Sequence, residues 1–269
     1  MRKNIVVIRS GGDIGTAIAH KLHRCGFKVL ILETNHPLVI RRTVAFAQAI
    51  FNGEVEVEGV KAVKVEGLYE IIGAWEDNNI PIIIDKDCSI LKEIPTDIII
   101  DAIMAKRNLG TSIDMAPITV AVGPGFEAGV DVDVVIETNR GHHLGKLIFT
   151  GFAKTDTGVP GNIMGYSNER VIKAPCTGAI KILCDIGEIV TKEQIIAYIE
   201  NEPIQAAIGG VLRGMIHENT MVTKGLKIAD VDPRGCVEYC YTMSDKARAI
   251  AGGVLEAIFY IKKKKNIVL

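Results

Sequence analysis

The chain has 269 residues, of which 48% are hydrophobic, with a formal net charge of −1 at pH 7 and a pI near 6.6. A near-neutral chain has no broad basic surface to neutralise a phosphate backbone. Its aromatic share of 5% leaves few platforms for stacked bases, so nucleic acid is not an expected partner. No apolar run reaches the length of a membrane span, and Arg2-Lys3 leads into a strand rather than the apolar stretch of a signal peptide. A cytoplasmic protein with no membrane partner is expected. The six cysteines, at positions 25, 88, 176, 184, 236 and 240, show neither a CxxC pair nor zinc-ligand spacing. That pattern points to reduced thiols and no metal site.

In chain order, the first element is a buried strand, Ile5-Val6-Val7-Ile8-Arg9, that runs into Ser10-Gly11-Gly12-Asp13-Ile14-Gly15-Thr16 and straight on into a helix. Gly12 and Gly15 have the spacing of the last two glycines of G-x-G-x-x-G. There the middle glycine admits a pyrophosphate to the backbone, and the last lets helix and strand pack closely. Ser10 stands at the first glycine's place, with Gly11 beside it to supply the tight turn. Free amides and the positive end of the helix dipole would face an anion there. The helix ends at Cys25-Gly26, and a second strand delivers Glu33 where a ribose-binding acid belongs. Ser10, Gly11, Gly12, Asp13, Gly15, Thr16 and Glu33 are therefore the candidate ligand-binding residues. A turn that serves the fold alone is the competing reading, because a fold does not guarantee a ligand.

Residues 37–51 carry an apolar stripe at helical spacing, and Asn52-Gly53 ends it. Alternation at Val55, Val57, Val63 and Val65 reads as strand, residues 68–79 as helix, and residues 80–85 and 97–101 as buried strands of a parallel sheet. Asp85 and Asp101 end those strands, as ligand contacts or as structural caps. Residues 106–166 are rich in glycine and hold Gly123-Pro124-Gly125-Phe126 and the block from Glu137 to Gly145. Arg140, with its planar fork, suits a carboxylate or phosphate, with Glu137 as its partner or a base. His142 and His143 in an extended chain point to opposite faces, so at most one is functional. Arg140 and His142 complete the candidate site. An enzyme would need a proton donor in the cleft, for which His142, Asp101 and Lys106 are available. Cys88 is the least unsuitable cysteine for carrying sulfur or selenium.

Residues 172–199 match residues 204–231 at a constant offset of 32 without a gap. Ile172 falls on Ile204, Gly178 on Gly210, and Val190-Thr191-Lys192 on Val222-Thr223-Lys224. Two units are too few for a solenoid. The glycine turns and short strands resemble the biotinyl and lipoyl carrier domains, in which a hairpin between two symmetric halves presents the modified lysine. Here that hairpin is Glu200-Asn201-Glu202-Pro203, with no lysine, so neither biotin nor lipoate is expected. Cys236 and Cys240 fall in a strand-like stretch. A last helix follows Ser244, a candidate N-cap, and ends in Lys262-Lys263-Lys264-Lys265, which complements its dipole.

The turn Gly11-Gly12-Asp13, the segment from Arg41 to Ala47, the blocks at 123–126 and 137–145 and the lysine-free repeat, in this order, resemble the YqeB-type accessory proteins of selenium-dependent molybdenum hydroxylases. The resemblance implies a maturation role without catalytic turnover of its own. It also implies molybdopterin or its dinucleotide form as ligand, or help with selenium or sulfur insertion, and a molybdenum hydroxylase apoenzyme as partner. Similar XdhC-type chaperones bind molybdopterin and present it for exchange of an oxo for a sulfido ligand. NAD in an oxidoreductase is the alternative ligand, and a non-catalytic interaction scaffold is a third reading. The expected fold class is α/β, a Rossmann-like parallel sheet with an appended all-β barrel-sandwich domain. The expected domains are 1–105 for ligand binding, 106–168 completing the cleft, 169–234 from the two repeats and 235–269 as a helix packing back. Homo-oligomers are compatible with this plan.

Overall fold

A computed structural model describes residues 4–267. Among them are five α-helices: α1 Asp13–Arg24, α2 Ala49–Asn52, α3 Leu68–Glu76, α4 Glu238–Tyr241 and α5 Asp245–Lys264. None is long and apolar enough to cross a membrane. The chain divides into two compact units. One holds the residues up to Pro37, Ala45–Thr157 and the residues from Met243; the other holds Leu38–Val44 and Gly158–Thr242.

The first unit contains strands β1 Ile5–Arg9, β2 Lys28–Glu33, β3 Glu54–Val57, β4 Val60–Val65, β5 Ile80–Ile84, β6 Ile98–Asp101, β7 Ile118–Val122, β8 Glu127–Ala128, β9 Val134–Ile136, β10 Leu147–Ile148 and β11 Gly151–Phe152. Nine of them form one sheet in the order β10-β9-β7-β6-β1-β2-β5-β4-β3, while β8 and β11 pair separately. The interior strands are parallel, and β3 and β10 run antiparallel at the edges. The β3–β4 reversal follows from Glu58-Gly59, both at positive φ (46° and 78°), the two-residue hairpin geometry that matches strand twist. The chain leaves β1 toward β2 on one side and later returns to β6 on the other. The switch point where open sheets bind ligands therefore lies just past the carboxyl ends of β1 and β6.

The second unit contains β12 Val171–Lys173, β13 Gly178–Ile182, β14 Ile189–Val190, β15 Ile195–Ile199, β16 Glu202–Gln205, β17 Gly210–Met215, β18 Met221–Val222 and β19 Lys227–Asp232. They form two antiparallel sheets, β12-β19-β17-β14 and β16-β15-β13-β18. The 32-residue offset carries each strand of one half onto a strand of the other and turns the first order into the second. Each sheet thus takes two strands from each half, around a shared apolar core that includes Ile180, Ile196, Leu212 and Ile228. Gly178 packs against Glu200 and Gly210 against Asp232, a pair of contacts related by the same offset.

Three expectations are corrected here. The fold class expected from the sequence, a Rossmann-like parallel sheet with an appended all-β barrel-sandwich domain, does not hold. The large sheet is mixed, with antiparallel strands at both edges, and the rest is two small antiparallel sheets. Those sheets are not a simple appendage, because Leu38–Val44 belongs with them: Met215 N–H donates to the Ile40 carbonyl at 2.9 Å, and Gly214 leaves room for the Ile40 side chain. Second, residues 37–51 are not one helix but two 3-10 turns, Arg42–Val44 and Phe46–Gln48, followed by α2. The N–H of Phe46 donates to Thr16 Oγ1 (2.8 Å) and that of Ala47 to the Gly11 carbonyl (2.9 Å), so tertiary bonds replace helical ones. Third, Cys240 lies in α4 rather than in a strand.

Candidate functional site

The turn after β1 is built around a bend at Ser10, which adopts φ +82°, the left-handed conformation the missing first glycine would have supplied. Ser10 N–H donates to the Leu32 carbonyl at 2.8 Å, and Thr16 Oγ1 donates to the Gly11 carbonyl at 2.9 Å. Thr16 is fully buried, and its hydroxyl is engaged on both sides. Gly12 is the N-cap of α1, and no side chain caps the helix. The leading amides of α1 therefore open at the carboxyl edge of the sheet, beside the switch point.

The three glycines differ in what a side chain would meet. A Cβ on Gly15 would lie 2.1 Å from the Ser10 carbonyl oxygen, so helix and strand approach here only through glycine. A Cβ on Gly11 would lie 2.9 Å from Ala47 N. At Gly12 the nearest atom would be Ser10 Oγ at 3.7 Å, an ordinary contact, and its φ of −62° suits any residue. Nothing within the fold requires glycine at position 12.

Glu33 is buried against this turn and braces it. Its carboxylate accepts from Gly11 N–H (2.8 Å) and Ser10 Oγ (3.3 Å) through one oxygen, and from Thr34 N–H (2.8 Å) and Thr34 Oγ1 (3.4 Å) through the other. Those four donors fill the acceptor sites a ribose hydroxyl would use. The strand-end aspartates also serve the fold. Asp101 forms a buried ion pair with Arg9 (3.3 Å) and accepts from Thr111 and Ile103, while Asp85 caps the turn at Ser89 and Ile90.

In the middle segment, Glu137 is not the partner of Arg140. Its buried carboxylate accepts from Asn139 N–H and Lys154 N–H, while Arg140 makes a bidentate pair with Asp245 at 3.0 and 3.1 Å. The rings of His142 and His143 do not point to opposite faces. They meet edge to face with centroids 5.0 Å apart, in a turn. Lys106 is paired with Asp156 at 2.6 Å. Cys88 is buried in the left-handed conformation, and burial pushes its thiol up, helped by Asp85, Asp101 and Asp87 against Arg9. Such a thiol supplies little thiolate for a sulfur or selenium carrier.

Sequence reasoning missed Lys246. It lies in the first turn of α5, one residue after Asp245, and its charge is felt together with those of Arg140, Asp13, Asp156 and Glu137. Burial pushes its ammonium below the ordinary lysine range and Arg140 adds to this, while the three carboxylates act in the opposite direction. Arg140 and Asp13 thus act on one group, which links the middle segment to the glycine turn. A lysine in a helix's first turn opposes the helix dipole, and that is the signal that could have marked it.

No family model matches the chain. Among solved structures, it aligns with the apo ectoine utilization protein EutE (DoeB) from Ruegeria pomeroyi at 11% identity, covering 84% of this chain and 85% of that one, TM-score 0.25. It aligns with a succinylglutamate desuccinylase from Silicibacter sp. TM1040 at 13% identity, covering 85% and 84%, TM-score 0.25. An aspartoacylase family protein from Mesorhizobium loti MAFF303099 aligns at 10% identity, covering 85% and 84%, TM-score 0.26. These are not the Rossmann-like and barrel-sandwich combination expected from the sequence, and at such TM-scores the likeness carries no argument about activity. The uncharacterized protein YqeB of Escherichia coli strain K12 is 49% identical over 257 residues, which is 96% of this chain and 48% of that protein. The chain spans about half the length of the curated relative it matches, and over that span it is similar to a YqeB-type protein.

Proposed function

We propose that the chain is a cytoplasmic accessory factor that holds a phosphate-bearing cofactor at the glycine turn, in the maturation of selenium-dependent molybdenum hydroxylases. The observation that carries the ligand reading is Gly12: it is a glycine the fold does not need, at the N-cap of an uncapped helix and beside the switch point of the sheet. A ligand phosphate close to the backbone accounts for it. The maturation role rests on the resemblance of the motifs and on the similarity to YqeB. Molybdopterin ends in a phosphate and its cytosine dinucleotide carries a pyrophosphate, so both fit a site that offers backbone amides. NAD is less well supported, because its ribose would compete with the four donors already on Glu33. The chain would bind and present the cofactor to a hydroxylase apoenzyme rather than turn over a substrate.

Mass spectrometry of the gently purified protein tests this reading. Molybdopterin or its dinucleotide released in near-stoichiometric amount is the expected result. Release of NAD would convert the reading to that of an oxidoreductase. If no phosphate-bearing compound is released, and none of these ligands binds when added, the reading is overturned.

A further inference from the structure

The glycine turn carries negative charge of its own. The Glu33 carboxylate sits on the Gly11 amide, and Asp13 opens α1. Helix-end amides supply only about half a positive charge, so a phosphate over Gly12 needs a cation to offset these two acids. Two nearby cations are committed elsewhere, Arg140 to Asp245 and Lys106 to Asp156. Lys246 is placed differently. Asp13, Asp156 and Glu137 act on it through space and not by hydrogen bonding.

Helix packing puts Lys246 at the correct end. Lys21, late in α1, donates to the Arg248 carbonyl in α5, and Phe27, just past α1, meets Phe259 further along α5. The contacts advance together along both helices, so α1 and α5 run in the same direction and begin at the same end. Gly253 lets the 137–145 loop close on α5, since a Cβ there would lie 2.3 Å from the Gly145 carbonyl oxygen. The starts of both helices and that loop therefore gather at one edge of the first unit.

We propose that Lys246 is the cation of the phosphate site, taking the outer oxygens of a phosphomonoester or pyrophosphate whose inner oxygens face the amides that begin α1. This rests on the reading of the turn given above. It explains a lysine in the turn of α5 where a cation is least favoured by the dipole. Ligand binding also raises the proton affinity of Lys246. Affinity therefore falls as pH rises through the lowered lysine pKa, within the field of Asp13 on α1, Asp245 beside it on α5, Glu137 and Arg140 on the loop, and Asp156 with its partner Lys106.

Calorimetric titration of the full chain with inorganic pyrophosphate, at neutral and alkaline pH, tests the assignment. Lys246→Gln is expected to weaken binding by about tenfold or more and to flatten the alkaline fall, while Lys246→Arg stays within about threefold of the parent. Lys246→Met, which keeps the aliphatic stem, replaces the glutamine variant if circular dichroism shows that one to be unfolded. If Lys246→Gln binds like the parent at both pH values while Gly12→Val is weakened, Lys246 is not the cation and the turn remains the site. If the parent does not bind pyrophosphate, or Gly12→Val binds it unchanged, the reading of the turn fails and the role of Lys246 fails with it.

Discussion

The glycine turn after β1 and the duplicated strands of the second unit both depend on glycine, but not for the same reason. In the duplicated strands the reason lies within the fold: a Cβ on Gly210 would lie 2.3 Å from the Asp232 carbonyl oxygen, and one on Gly178 would lie 2.6 Å from Glu200 Cγ. In the turn, Gly15 is of this kind and Gly12 is not. Motif spacing alone treats Gly12 and Gly15 alike. What a side chain would touch separates the glycine that the chain requires from the one that a ligand would require.

The comparison breaks most sharply at the crowded positions. Gly15→Val and Gly210→Val each drive a side chain into backbone and are expected to cost about 3 kcal/mol or more, read as a lost or shifted urea transition. If Gly15→Val folded with parental stability, the distinction between the glycines would fail. Of similar size is Asp230→Ala in the second unit, which leaves the buried Arg170 without its partner at 2.9 Å and should cost about 3 kcal/mol. Smaller is Glu33→Gln, which weakens the brace on Gly11 by about 1 kcal/mol in urea unfolding. It also removes a negative charge from the turn, so pyrophosphate affinity should be unchanged or higher. A clear loss would instead give Glu33 a direct role in binding.

The smallest expected effect depends on pH. Burial pushes both His20 and His23 below the ordinary histidine value of 6.5. For His20 the Glu58 carbonyl and charge act in the opposite direction, and for His23 the His20 charge adds to the lowering. The unfolded chain then binds more protons than the folded one below that value. Their contribution to stability is complete above pH 6.5 and is lost as pH falls through the lowered folded values. Chemical denaturation across this range should show the decline, and His20→Gln should make it shallower.

The elements legible in the sequence are those whose causes are local. The apolar run of β1, the close approach at Gly15 and the Ser244 cap, which accepts from Ala247 N–H at 3.2 Å, each follow from neighbouring residues. The 32-residue offset is legible for the same reason. Features set by distant residues are not. The helical stripe of residues 37–51 yields to bonds from Thr16 and Gly11, and Arg140 finds Asp245, 105 residues away. The antiparallel edge at β3 hinges on the two turn residues Glu58-Gly59, which alternation of valines does not reveal. Ser10 carries the positive φ where the motif has glycine, and only the folded backbone shows that it does so.

The measurement closest to the central claim pairs stability with binding in a single variant, Gly12→Val. Urea unfolding should show a loss of no more than about 1 kcal/mol, the scale of a changed N-cap. Affinity for the phosphate-bearing ligand released from the parent should fall at least about tenfold, or 1.4 kcal/mol. A folded Gly12→Val protein that keeps the parent's ligand at full affinity would contradict the account.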